Sequence, residues 1–299
     1  MILKLTPSLK NYIWGGTNLK TKWNKVSDEV RLAESWEVSL NSSGMCHVCG
    51  GVYDGKRLLD VLKPDDLGAN CQNFPFFPVL VKLIDAATPL SLQVHPTDEY
   101  ALKREGKYGK TEMWHVLDAT EDAYIYLGFN RDVTKTEFLE ALSSKTLCNL
   151  LNKVPVKPNQ TYFVQSGTIH AIGAGVTLIE IQQNSDLTYR VYDYDRVGAD
   201  GKPRELHVEK ALEVLNFDRY DVPNPERGQL LGKCEYFAAY RYQGTKTLTL
   251  PNSFATITAL DCELTVNDQT LRRGETLFAS VGTTLKIRGN GTYCLVCVE

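Results

Sequence analysis

Short runs in which apolar and polar residues alternate, or in which Val, Ile, Thr, Tyr and Phe crowd together, recur along the chain between clusters of Gly, Asn and Asp. EMWHVLDA (112–119), AYIYLGF (123–129), TYFV (161–164), VTLIEIQQ (176–183), LTYRVYDY (187–194), FATITAL (254–260) and TYCLVCV (292–298) are of this kind. Runs of this length and composition predict strands, and many short strands separated by turn signals predict a sandwich or barrel. Two segments read differently. Thr134 and Glu137 have capping-box spacing ahead of Phe138, Leu139, Leu142, Leu147, Leu150 and Leu151, which predicts a helix with an apolar face. ELHVEKALEVLNF (205–217) predicts a second helix. The polar, proline-containing DVPNPERG (221–228) predicts a linker, and beyond it VNDQ, RRGE and RGNG mark the turns of a second barrel. The expected fold is mostly β, with a first domain over 1–220, the linker 221–228 and a second barrel over 229–299.

The alternation in SLQVHP (91–96) places Ser91, Gln93 and His95 on one face of a strand and Leu92 and Val94 on the other. Three hydrogen-bonding or metal-binding groups on one side describe the wall of a polar cavity. GKTEMW (109–114) repeats the logic: Lys110, Glu112 and Trp114 share a face, while Met113 and His115 take the opposite one. QSGTIHAIG (165–173) sets His170 after a glycine-containing turn, where a barrel presents side chains at its mouth. Two histidines and a carboxylate from separate strand ends make a catalytic zinc set with a position left open, and equally the facial triad of non-haem iron. The bland alternative is that His95 and His170 are satisfied core histidines and that Glu112 pairs with Lys110.

Composition narrows the setting. The 299 residues are 43% hydrophobic and 23% charged with a formal charge of -3, which gives no general attraction to nucleic acid or to an anionic membrane. An anionic substrate would need local counter-charge. Eight cysteines are too few for a disulfide scaffold in a chain of this length. The start, MILKLTPSLKNYIWGG, lacks the apolar run of a signal peptide, and the most apolar stretch, FPFFPVLVKLIDAATPLSLQV, is interrupted by Lys82, Asp85 and three prolines. A cytoplasmic location is expected. His207 is the last of five histidines, so a histidine-dependent site belongs to the first 220 residues. No P-loop or GxGxxG pattern calls for a nucleotide.

SLQVHP, GKTEMW, GTIHAIG and SDLTYRVYDYDR, in this order and preceded by PSLKNYIWGG (7–16) and LAESWEVS (32–39), resemble the signature blocks of the type I mannose-6-phosphate isomerases in their short form. These are zinc enzymes of the cupin superfamily, and the resemblance covers most of residues 1–215. It implies two cupin-like jelly-roll barrels and an aldose–ketose isomerase that interconverts mannose 6-phosphate and fructose 6-phosphate. It further implies one Zn2+ per chain held by Gln93, His95, Glu112 and His170, with Arg190 catalytic. Lys82 and Ser91 are the candidates for the phosphate end, and Trp14 and Glu34 for the lining of the cleft. The chain departs from the family after LAESW, where EVSLNSSGMCHVCGG (37–51) replaces a His-Pro segment and sets the loop around 40–50 apart.

The chemistry suits this residue set. Exchanging aldose for ketose moves a proton between C1 and C2 through an enediol, and zinc can stabilise the charge that develops on oxygen. Two neutral imidazoles, an amide and one carboxylate leave about one net positive charge on such a metal. Lys110, on the face of Glu112, could bind a sugar oxygen, assist ring opening or transfer a proton; the alternative is a surface lysine. Arg190 could bind phosphate or stabilise the enediolate, or else pair structurally with Asp186 or Glu180. His47, His115 and His207 read as structural. Cys46/Cys49 and Cys294/Cys297 form two C-x-x-C pairs of a four-cysteine zinc pattern, although YCLVCV reads as packing. Two competing readings are a cupin Fe(II) oxygenase and a non-catalytic sugar-binding or regulatory cupin. The fourth ligand and the Lys110 and Arg190 charges favour the isomerase. A phosphorylated sugar is the expected partner, without nucleic acid or membrane, and the identity of the proton-transferring base stays open.

Overall fold

The computed structural model describes residues 1–198, 201–225 and 228–299, so two residues of the expected linker, 226 and 227, lie outside the described residues. The chain is built in layers. A five-stranded sheet orders Tyr189–Tyr192, Leu92–Val94, His170–Ile172, Tyr124–Phe129 and Leu151–Pro155 side by side. Facing it is a six-stranded sheet in the order Thr161–Val164, Glu112–Ala119, Val176–Gln183, Val79–Ala86, Glu34–Val38 and Ser8–Lys10. Ile84, Trp114, Val116 and Leu178 from one sheet meet Ile125, Leu127 and Ile172 from the other in a buried cluster that fills part of the space between them. The rest of that space is the polar cavity described below.

Both faces of each central strand are used. Beneath the five-stranded sheet, Leu92, Val94, Ala171, Tyr189 and Val191 pack on the helices Lys135–Ser143 and Val208–Val214 through Phe138 and Ala211. Behind the six-stranded sheet, Val81, Leu83, Met113, Ile179 and Ile181 pack on a seven-stranded sheet through Leu5, Phe237, Ala239, Phe278 and Val296. This explains why Val79–Ala86 and Val176–Gln183 are buried along their whole length and read as near-continuous apolar runs. The seven-stranded sheet then closes on a four-stranded one over Ile257, Leu264, Leu277, Leu285 and Leu295, which makes the second barrel.

The mostly-β expectation holds, with strands Glu112–Ala119, Thr161–Val164 and Val176–Gln183 at the bounds read from the pattern. The helix after Thr134 carries the expected capping box, Glu137 N donating to Thr134 Oγ1 at 3.2 Å and Thr134 N to Glu137 Oε2 at 2.8 Å. It ends at Ser143, however, because Lys145 takes a left-handed backbone (φ 61°); Leu147–Leu150 is a separate 3-10 turn and Leu139 is exposed rather than part of an apolar face. The strand Ile2–Thr6 pairs with Thr276–Ala279, so the start of the chain is laid into the sheet of the second barrel. Among the described residues no helix is long and apolar enough to cross a membrane.

Candidate active site

Register builds the site. Gln93 is the cross-strand partner of His170 on one side and of Arg190 on the other, so the three side chains stand in a row on one face of the five-stranded sheet. Opposite them, the six-stranded sheet aligns Trp114, Glu180, Lys82 and Trp36 in a single row, with Glu112 and Glu34 each two residues along the same face. Between the rows His95 Nε2 lies 3.6 Å from Glu112 Oε2, and His170 Nε2 lies 3.3 Å from Glu112 Oε1. His95, Glu112 and His170 are buried, and the ligand atoms they offer lie within 4.8 Å of one another; among the described residues no other such histidine, cysteine and carboxylate group occurs. The C-x-x-C pairs do not converge on one: Cys49 is exposed, while Cys46, Cys294 and Cys297 are buried free thiols.

The two imidazoles are poised as ligands. His95 Nδ1 bonds the Leu187 carbonyl at 2.9 Å and His170 Nδ1 the Thr168 carbonyl at 2.8 Å. A carbonyl accepts only, so each Nδ1 carries the proton and each Nε2 turns a lone pair to the centre. Burial, with Lys110 adding to it, holds the His95 pKa well below its usual value. Burial likewise lowers His170 to about 4. The Gln93 amide reaches His170 Nε2 at 3.3 Å, and a half-turn of that amide presents its oxygen at the same point. Trp114 packs edge-on against His170 at 5.4 Å between ring centroids and fixes the ring from behind.

Charge completes the fit to a cation. Glu112 is fully buried and neither carboxylate oxygen has a hydrogen bond of good geometry, although Lys110 Nζ lies 2.5 Å from Oε2. Burial and the neighbouring Glu180 push the Glu112 pKa up, against the opposing pull of Lys110 and Lys82. Burial would lower the Lys82 pKa, but Glu34 and Glu180 outweigh it and hold the group firmly protonated. Glu180 is driven the other way: Lys110 and Lys82 overcome its burial and keep it ionised. Lys82 lies 3.1 Å from Glu180 and 3.6 Å from Glu34, and Lys110 3.6 Å from Glu180. Two ammonium groups are thus shared among three carboxylates, and two imidazole lone pairs converge on one of these, Glu112. Such a donor set fits a divalent cation.

A cavity of about 340 Å³ opens from this centre, lined by Trp14, Glu34, Lys82, Ser91, Gln93, Lys110 and Arg190. Every residue put forward from the sequence as a ligand, catalytic group or substrate contact therefore lies in the ligand cluster or on this wall. Arg190 pairs with neither Asp186 nor Glu180; its Nε donates to Ser91 Oγ at 3.3 Å and its Nη1 to the Glu205 carbonyl at 2.8 Å. His115 turns away, as strand register requires, and its Nδ1 bonds Thr161 Oγ1 at 2.8 Å. Sequence reasoning missed Trp36, Ser43, Asp186 and Arg204, which also line the cavity, and gave Glu180 no place in the site. A signal existed for Glu180, a lone charge inside the apolar run VTLIEIQQ that must find a partner once buried. Asp186 and Arg204 lie outside the strands, where no periodicity marks them.

Comparison with known proteins agrees with this geometry. A family model described as "Phosphomannose isomerase type I, catalytic domain" matches residues 2–145. The chain is 39% identical to the probable mannose-6-phosphate isomerase GmuF of Bacillus subtilis, over 84% of this chain and 82% of that one. It is 37% identical to the mannose-6-phosphate isomerase ManA of the same organism, over 86% and 84%. The crystal structure of the mannose 6-phosphate isomerase from Bacillus subtilis superposes with a TM-score of 0.88 at 33% identity, covering 99% of both chains.

Proposed function

This chain belongs to the type I phosphomannose isomerases, a family of aldose–ketose isomerases, and from that premise we propose that it interconverts mannose 6-phosphate and fructose 6-phosphate through an enediol, with one zinc ion held by Gln93, His95, Glu112 and His170. The observation that carries the reading is the convergence of two imidazole Nε2 atoms and the buried Glu112 carboxylate, from two facing sheets, beside a cavity that also holds Lys110 and Arg190. Bound zinc would supply Lewis acidity for the charge that develops on the substrate oxygens.

The chain's own residues do the rest. In the forward direction a proton leaves C2 and is returned at C1, while O2 gives up its proton and O1 gains one. Lys110, buried beside Glu112 and Glu180, holds an ammonium donor at the depth of the ligand cluster, within reach of a sugar oxygen. Arg190 stands two strands from His170, across Gln93, and its bonds to Ser91 and the Glu205 carbonyl fix the plane of the guanidinium along the wall. We place the phosphate at the Ser91, Arg190 and Arg204 end, because Lys82 is already matched by Glu34 and Glu180 whereas Arg204 and Arg196 share the single carboxylate of Asp193. Lys82, Trp14 and Glu34 then line the sugar. The test is a coupled assay of purified protein on mannose 6-phosphate with added zinc. Formation of fructose 6-phosphate is expected; no conversion at any zinc concentration would overturn the reading.

A further inference from the structure

Lys110 does not lie in a regular strand; it sits two residues before Glu112–Ala119, where the ladder no longer fixes the backbone. Its backbone is nonetheless held on both sides. Three consecutive backbone N–H groups are each bonded: Gly109 N to Asp98 Oδ1 at 2.7 Å, Lys110 N to the Pro96 carbonyl at 3.1 Å, and Thr111 N to Gln183 Oε1 at 2.7 Å. Gln183 Nε2 returns to the same Asp98 Oδ1 at 2.7 Å, so Asp98 anchors both flanks of Lys110, one directly and one through Gln183. The other Asp98 oxygen accepts from Tyr236 Oη at 2.6 Å. Tyr236 comes from the C-terminal segment and its ring is seated between Phe74, at 5.7 Å, and Tyr108, at 6.1 Å. Gly109 is required for this docking, since a Cβ there would collide with the backbone of Pro96, Thr97 and Asp98.

We infer that Asp98 is a positioning residue for the isomerisation: it holds the 109–111 backbone so that Lys110 Nζ reaches the ligand cluster, and Tyr236 ties that clamp to the C-terminal part of the chain. The inference rests on the proposal that Lys110 acts on the substrate. Asp98 touches neither the cavity wall nor the cluster, so its effect on rate passes through Lys110. A shift of about 1 Å in an acting group is enough to cost on the order of a hundredfold in rate.

A double-mutant cycle tests this on the full-length zinc-loaded protein. Asp98→Ala is expected to lower kcat about tenfold or more with KM within about twofold of wild type and zinc content unchanged. Asp98→Asn, whose amide oxygen can still accept from Gly109 and Gln183, is expected to recover most of that loss. In a Lys110→Ala background Asp98→Ala is expected to add nothing. Losses that multiply in the double variant, or a wild-type kcat for Asp98→Ala, would overturn the inference while leaving the isomerase reading intact. Should Asp98→Ala fail to fold, Tyr236→Phe decides, because it keeps the ring and removes only the hydroxyl. A severalfold fall in kcat confined to the Lys110 background supports the clamp, and an unchanged kcat overturns it. An unsubstituted chain that converts no mannose 6-phosphate would sink both readings together.

Discussion

The two barrels enclose different interiors. Between the five- and six-stranded sheets the inward positions include Lys82, Gln93, Glu112, His170 and Glu180; between the seven- and four-stranded sheets they are Ala255, Ile257, Ala259, Leu264, Leu277, Leu285 and Leu295. The second interior closes on itself as an ordinary apolar core. The first is split: an apolar cluster fills one part, and in the other the buried charges must be matched, as a network of ion pairs around a cavity. Barrel architecture alone therefore says little about chemistry. The inward positions of five strands decide it, and the C-terminal barrel contributes by backing the six-stranded sheet and by anchoring Tyr236.

Substitutions should sharpen this contrast, and the largest effect belongs at the ligand cluster. His170→Ala should lose most bound zinc and lower turnover on the order of a thousandfold or more, read by metal analysis and the coupled assay together. Arg190→Lys comes next. It keeps the charge and removes the planar fork, so kcat should fall roughly a hundredfold with normal zinc content and near-normal melting temperature. A loss confined to KM would assign Arg190 to the phosphate alone. In the other interior, Ile257→Ala should cost about 2–5 kcal/mol of stability in denaturant unfolding while leaving kcat per folded molecule unchanged. A change in zinc affinity there would blur the division between the barrels.

The smallest effect concerns His115, on the back of the strand that carries Glu112. Burial, aided by Arg241, lowers its pKa to about 4 from 6.5. Because the folded form binds the proton more weakly than the unfolded chain, His115 subtracts stability as pH falls through 6.5 towards 4 and has no such effect above that window. His115→Gln should retain zinc and flatten that part of the melting temperature against pH profile. An unaltered slope would mean that the imidazole is not shielded as described.

Much of this was legible where a local signal existed. The strands that supply Glu112, His115 and Glu180 were marked by composition and length, and the Thr134 cap by its spacing. The alternation predicted Ser91, Gln93 and His95, and Lys110 and Glu112, on common strand faces; the strands are shorter, Leu92–Val94 and Glu112–Ala119, with Ser91, His95 and Lys110 flanking them, yet all five groups gather at one site. Gln93 as a metal ligand had no local warrant and rested on resemblance. What stayed hidden depends on long-range register. The pairing of Ile2–Thr6 with Thr276–Ala279 leaves no trace in either segment. Ser43, Asp186 and Arg204 reach the cavity from loops, and the Asp98–Gln183–Tyr236 clamp joins residues 138 positions apart. The reading of YCLVCV as packing rather than a zinc pattern agrees with the structure, where the Cys294 and Cys297 side chains pack within apolar clusters.

The central claim is that the first barrel's interior is a zinc-dependent isomerase centre. The most direct measurement follows zinc content and mannose 6-phosphate turnover in one sample through chelation and zinc restoration. About one zinc per chain, loss of turnover in step with loss of metal, and recovery on adding zinc back are the predicted results. Undiminished turnover in protein stripped of metal would contradict the account.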